Sequence, residues 1–488
     1  MKKFFNLIFV TTIIALVFSG CMDKTDLTAP SASNPVNGNA DLTRFVTIGN
    51  SLTAGWQNGA LYASSQNYSF GNQIAKQVGT TFEQPLVSDP GTGGRMEIKT
   101  LDIAKGEIDI YYNPNKGNAE NLKYQYPYNN LGIPGALLYD VLYATSSTTC
   151  ASALFSSSHT PNPMFDLILR SHGSQFAQAK ALHPTFITLW IGNNDVLGFA
   201  TSGGFSPSEP TPVSGGLYNF QSAFTQLADS IASLGAKVVV ANIPDVDAIP
   251  YFSTVGPVVA METPWGALKL LGAPGIIYQK HGEIVASGVA DSLSLLTGQL
   301  LMTLPAINYA TLIGQPTGQY YRDNNYPALP PGIDTTKPFG LHPQNPWPDA
   351  LILDASEIAT TENTVASYNS IISSLANAKG FGLVDINSFF NSIRQKDFTG
   401  GVYFNGVNFS TTYITGGIFG LDGILPTNQG QAIVANEFIK VINSKFGANI
   451  PLINVATIPG SLILTKKALL KEKLIPHFEP GTFNHLLY

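Results

Sequence analysis

Charge is scarce in this chain. Lys, Arg, Asp and Glu make up 12% of its 488 residues, about half the roughly 25% usual in soluble domains, so Asn, Ser, Thr, Gln and Tyr must carry most of the polar surface. Such a surface suits a secreted protein. Neither sign dominates: 26 basic against 32 acidic side chains leave a net charge of -6, and the lack of a broad basic field argues against nucleic acid as a partner. Cysteine is nearly absent, being confined to Cys21 and Cys150. Seven histidines are spread along the chain; no pair has metal-ligand spacing and no Gly-rich phosphate loop occurs, so neither a metal nor a nucleotide cofactor is expected. What is abundant is apolar content, 44% of the chain, which excludes a disordered protein.

The N-terminus has a separate logic. Lys2 and Lys3 precede an apolar run from Phe4 to Phe18, broken only by Asn6, Thr11 and Thr12, and the run ends in Ser19-Gly20-Cys21. A basic start, an apolar stretch and small residues before a cut site form a secretory signal peptide, and the Cys that follows resembles a bacterial lipobox, with Phe18 where an aliphatic residue is commoner. The competing reading, a transmembrane anchor, needs a run of about 20 residues, and this one is shorter. Residues 1–20 are thus expected to be removed, Cys21 to be lipidated, and residues 21–41, rich in Thr, Ser, Pro and Asn, to act as a tether. The chain would then be held in the cell envelope, at the outer membrane, by an N-terminal lipid. Cys150 would be left alone, without a disulfide partner. It has no His or basic residue nearby to activate it and reads as a structural thiol.

Beyond the tether, short β-branched or aromatic runs at Arg44 to Ile48, Thr185 to Ile191, Lys237 to Ile243 and Leu383 to Ile386 read as buried parallel strands. Phe220, Phe224, Leu227 and Ile231 recur at helical spacing before Gly235, completing a βαβ unit. Further helices are expected from about Thr361 to Ala378 and from Gln431 to Phe446. Alternating strands and helices predict a three-layer α/β/α sandwich around a central parallel sheet, spanning about 42–450. Two stretches break the rhythm, about 62–128 and 250–348, and read as insertions that either cover a pocket or serve as packing decoration. Residues 451–488 form an extension, with a docked helix expected from Leu462 to Tyr488.

Three motifs sit at strand ends. Gly49-Asn50-Ser51-Leu52 puts a Ser on the turn between a strand and a helix, where backbone N–H groups can face a developing oxyanion; Ser is also a favoured N-cap, so the pattern alone is weak. Asn130-Leu131-Gly132-Ile133-Pro134-Gly135 follows a short Tyr-rich strand candidate, and Gly192-Asn193-Asn194-Asp195 ends the strand from Thr185. Together they resemble the SGNH hydrolase superfamily, the GDSL-type esterases and lipases, over about Thr43 to Gly447, with Asn50 in place of the usual Asp. The resemblance implies an α/β/α fold, a Ser51 nucleophile, and an oxyanion hole made by the N–H groups of Ser51 and Gly135 and the side-chain amide of Asn194. It implies no cofactor.

One block departs from that family. SGNH enzymes carry a catalytic Asp-x-x-His pair before the last helix, and here Asp422-Gly423-Ile424-Leu425 keeps the Asp, so that the resemblance implies a catalytic Asp422, and replaces the His by Leu. A Leu cannot take a proton from Ser51, and losing a general base typically costs about 10² to 10⁴ in rate. Among the other histidines, His342 is the best candidate for a substitute base, because the insertion that bears it can fold over the active-site edge; an ordinary loop His is the competing reading. Two functions follow from the resemblance. The first is a membrane-anchored ester hydrolase, acting on an ester-bearing small molecule, a lipid or an acylated glycan. The second is a binding lipoprotein for glycan or acyl ligands that has kept the scaffold and lost the base.

Overall fold

The computed structural model describes residues 37–460, apart from 103–105, 157–158, 205–208, 281–287 and several positions within 264–273, together with 475–483 and Leu486. Cys21, the signal segment, most of the tether, His281, His485 and residues 461–474 lie outside the described residues.

Five strands form the central sheet: β1 (Phe45–Gly49), β2 (Asn130–Gly132), β3 (Phe186–Trp190), β4 (Lys237–Ala241) and β5 (Gly382–Val384). Their order is β5-β4-β3-β1-β2, and every neighbouring pair is parallel. β1 and β3 are buried at every position. That is why they read as near-continuous runs of β-branched, aliphatic and aromatic residues, with Thr47 and Thr188 as their polar members. β2 is not the Tyr-rich run expected to precede the second motif; the motif itself pairs with β1, and the tyrosines are spent elsewhere. The Arg170 guanidinium lies 3.9 Å from the Tyr128 ring centre and donates to the carbonyls of Tyr124 and Tyr126.

Among the helices, those used below are α1 (Ser51–Ala54), α2 (Phe70–Val78), α3 (Leu138–Tyr143), α4 (Gln175–Ala181), α5 (Asn194–Thr201), α6 (Phe220–Ala232), α7 (Ala355–Lys379), α8 (Ile386–Asp397) and α9 (Asn428–Phe446). α2 packs with α9, while α3, α4, α5, α6 and α7 form a second packed group. In the first group Phe70 stacks on Phe438 at 4.7 Å, and Trp190 of β3 meets both rings. In the second, Phe220 lies 3.6 Å from Tyr368 in a stacked pair. The result is a mixed α/β fold around a parallel sheet.

Several elements differ from expectation. α7 starts at Ala355, before Thr361, because Asp354 caps it: its carboxylate accepts from the N–H groups of Ser356 at 2.8 Å and Glu357 at 3.0 Å, and Glu357 returns the bond to Asp354 N–H at 2.6 Å. α8 follows β5 directly and was hidden by the apolar run around Ile386. α2 falls inside the stretch expected as the first insertion yet belongs to the core. The remainder of that stretch contains an antiparallel pair, Arg95–Asp102 with Glu107–Asn113. Ile475–Phe478 joins that pair as a parallel third strand, not as the expected helix. Its period-2 burial, Pro476 and Phe478 in and Ile475 and His477 out, is the reason. Among the described residues no helix is long and apolar enough to cross a membrane.

Candidate active site

The chain leaving β1 turns at once into α1. Gly49 permits this approach, since a Cβ there would stand 2.2 Å from Thr53 Oγ1 and 2.4 Å from the Trp190 carbonyl. Asn50 does two jobs: its Oδ1 accepts from Leu52 N–H at 3.1 Å, capping α1, and its Nδ2 donates to Asn193 Oδ1 at 3.2 Å. The second bond ties the end of β1 to the end of β3. A carboxylate could not donate that bond. Ser51 is therefore the first residue of α1, buried at 6% exposure. Its N–H has no intrahelical acceptor, and among the described residues its hydroxyl has no hydrogen-bond partner.

Asn194 starts α5 and donates one amide N–H to Ala136 O at 2.9 Å. This binds the turn that carries Gly135, a residue with φ of 76° that suits glycine, to the end of β3. The second Asn194 N–H remains for another acceptor. Gln175 completes the frame from α4: its Nε2 donates to Gly49 O at 2.8 Å and to Leu131 O at 2.5 Å, joining the ends of β1 and β2. The sequence reading missed Gln175, Asn193 and the role of Asn50, because a buried amide that links strand ends leaves no spacing pattern.

Three buried carboxyls surround this frame. Asp195 Oδ2 accepts from Leu138 N–H at 2.9 Å and its Oδ1 from Thr211 Oγ1 at 2.8 Å. Asp140 accepts from Leu137 N–H at 2.8 Å and Ala151 N–H at 2.7 Å, so the two acids together hold the start of α3. Desolvation pushes Asp140 up to about 7 and Asp195 up to about 6. Asp422 is likewise raised by burial, to about 6. Its Oδ1 accepts from the N–H groups of Ile424 at 2.8 Å and Leu425 at 2.7 Å, and its Oδ2 from Asn58 N–H at 2.6 Å. A carboxylate has about four lone-pair sites, and backbone takes most of those on Asp422. Its visible work is to fasten the 420–425 turn to the chain after α1.

Ser51, Asn194 and Leu425 line one cavity of ≈ 50 Å³, far below the roughly 300–1,000 Å³ of pockets that hold drug-sized ligands. Apolar side chains make up much of its wall, among them Ile249, Phe390, Phe419, Ile424 and Leu425. Among the described residues no histidine lines it, and its one ionisable side chain is Asp245. The Asp245 carboxylate accepts from Asn387 Nδ2 at 2.9 Å and Asn391 Nδ2 at 2.7 Å, both on α8. Gly135 and Asp422 are not among the cavity's lining residues. His342 is absent too. It sits in a turn where its Nδ1 accepts from Gln344 N–H at 3.1 Å. Cys150 is buried and free, its thiol 3.0 Å from Ser147 O.

No protein-family model, no curated protein and no solved structure matches this chain.

Proposed function

We propose that this protein is an ester hydrolase of the SGNH type, a three-layer α/β/α member with Ser51 as nucleophile and Asp245 in place of the missing histidine. The supporting observation is that Ser51, Asn194 and Asp245 line the same cavity at the carboxyl ends of the parallel strands. In this reading Ser51 Oγ attacks the ester carbonyl and its proton passes to the Asp245 carboxylate. The Ser51 N–H and the second N–H of Asn194, the two expected donors that line this cavity, hold the oxyanion. The alkoxide leaves with that proton; water then attacks the acyl-Ser51 carbonyl while giving a proton to Asp245, the Ser51 Oγ–acyl bond breaks, the carboxylic acid leaves and the proton returns to Ser51 Oγ. A carboxylate is a weaker general base than an imidazole, so turnover is slow. The substrate is an ester-bearing small molecule, a lipid or an acylated glycan. The protein is held at the cell envelope by a lipid on Cys21, and Cys21→Ser should release it from the membrane fraction or leave its signal uncleaved.

Leu425 favours a second reading. It occupies the family's histidine position and helps close the cavity over Ser51, as a scaffold kept for binding would allow. A fluorophosphonate probe separates the two. Labelling that Ser51→Ala abolishes is the expected result for the hydrolase; no labelling of the folded protein at high probe concentration would leave the binding reading.

A further inference from the structure

The size of the Ser51 cavity limits which ester can react there. Each water-sized occupant needs about 10–15 Å³, so ≈ 50 Å³ has room for roughly three to five non-hydrogen atoms. An acetyl group on Ser51 Oγ brings three, and the attacking water takes one further place. A pentanoyl group brings six before any water enters.

One side of this cavity is closed and cannot yield. Leu425, Phe419, Phe390 and Ile249 are all buried there. Leu425 N–H donates to Asp422 Oδ1 at 2.7 Å and its carbonyl accepts from Gly420 N–H at 2.8 Å. Tyr251 N–H donates to Gly423 O at 3.0 Å, which joins the segment bearing Ile249 to the same turn. The Phe390 and Phe419 rings meet with their centres 5.5 Å apart. Close-packed walls fixed by backbone bonds do not move aside for added methylene groups. Nor does the space continue elsewhere. A second cavity of ≈ 1,000 Å³, walled by Trp56, Tyr112, Tyr309 and Phe478 among others, shares no lining residue with this one.

The other side is the open one, since Leu197, Pro244 and Asp245 line the same cavity and are only half-buried. The alcohol takes its proton from Asp245 as it leaves, and the water that follows gives its proton to the same carboxylate. Water therefore enters the place that the alcohol vacated, and that place must communicate with solvent. The alcohol lies on the Asp245 side, and the acyl group is what the closed side has to hold. We propose that the site takes acetyl esters of larger alcohols, with Leu425, Phe419, Phe390 and Ile249 excluding longer acyl groups; this rests on the hydrolase reading of Ser51.

The test compares butyl acetate with methyl pentanoate, isomers that differ in which side of the carbonyl is long. The full chain in detergent should hydrolyse butyl acetate with a kcat/KM at least about 10² above that for methyl pentanoate, because one misplaced methylene alone is worth about 10–200-fold. Leu425→Ala removes three carbons from the closed side and should bring the two esters within about tenfold by raising the rate on methyl pentanoate. Ile249→Ala should act in the same direction from the adjoining segment, and covers the case in which Leu425→Ala does not fold. Equal rates on the two esters, or a faster rate on methyl pentanoate, overturn the proposal and leave the hydrolase reading standing. A ratio unchanged in the folded variants overturns it as well. Hydrolysis of neither ester overturns it in every case, and fluorophosphonate labelling of Ser51 then decides whether the hydrolase reading falls with it.

Discussion

The same connections build two unlike cavities. The one after β1 gives Ser51 to the small cavity and Trp56 to the large one; the one after β3 gives Asn194 and Thr201; the one after β4 gives Ile249 and Tyr251. The small cavity is tied together by buried amides, Asn50 to Asn193, Asn194 to Ala136 O and Gln175 to two strand ends, and is filled by aliphatic and phenyl groups. The large one is walled by rings with polar groups between them. Residues a few positions apart on one connection thus serve different chemistry, and the fold has kept an exact frame around a space too small for most substrates while opening room next to it.

The largest expected effect falls on the small cavity. Asp245→Asn keeps an acceptor for the α8 amides but removes the proposed base, and should lower ester hydrolysis per folded molecule by about 10² to 10⁴. Equal turnover in the folded variant would remove Asp245 from the mechanism. Asn194→Ala should cost about 10² in hydrolysis by taking away an oxyanion donor. Because it also breaks the bond to Ala136 O, melting curves must accompany the kinetics, and a loss confined to stability would make Asn194 structural. Leu425→His should raise hydrolysis of a short-chain ester by about 10², the usual worth of a positioned base. An unchanged rate in the folded variant would show that Asp422, already engaged by backbone N–H groups, does not orient the new ring.

The smallest effect is on stability and comes from the frame alone. Asp422 has a folded pKa of about 6 and an unfolded value near 3.9. Between these the unfolded chain has released a proton that the folded chain still holds, so its contribution to stability falls as pH rises, by about 2 kcal/mol from pH 4 to pH 7. Asp195 acts in the same window and Asp140 extends it to about 7. Urea unfolding should show stability declining from pH 4 to pH 7, and Asp422→Asn should flatten that slope. A slope equal to that of the unsubstituted protein would show that Asp422 is ionised in the fold.

Most of the strand framework was legible because buried parallel strands write themselves as apolar runs. β2 was not: at three residues, with Asn130 bonded to Thr53 O and Gln84 Oε1, it carries no such signature. The motifs at strand ends located Ser51 and Asn194 in one cavity, but the partner each side chain chooses depends on distant chain. The Asp422 carboxylate was read as part of a catalytic pair, and its bonds to Asn58, Ile424 and Leu425 N–H could be seen only in three dimensions. The large cavity is assembled from the whole length of the chain, so no window of sequence contains it.

The strand Ile475–Phe478 pairs with Glu107–Ile110 and is clasped by Asn308. This has a consequence for biogenesis. The chain emerges N-terminus first, and its parallel sheet can assemble while synthesis continues, but the wall containing Phe478 and Phe483 waits until those residues, far downstream of the sheet's first strands, have been made. Pairing across so long a separation is slow, since loop closure precedes any gain from contact. A ribosome that stops early would leave a sheet nearly complete and a cavity gaping on one side, with Tyr112 and Tyr309 uncovered for a chaperone or protease to find.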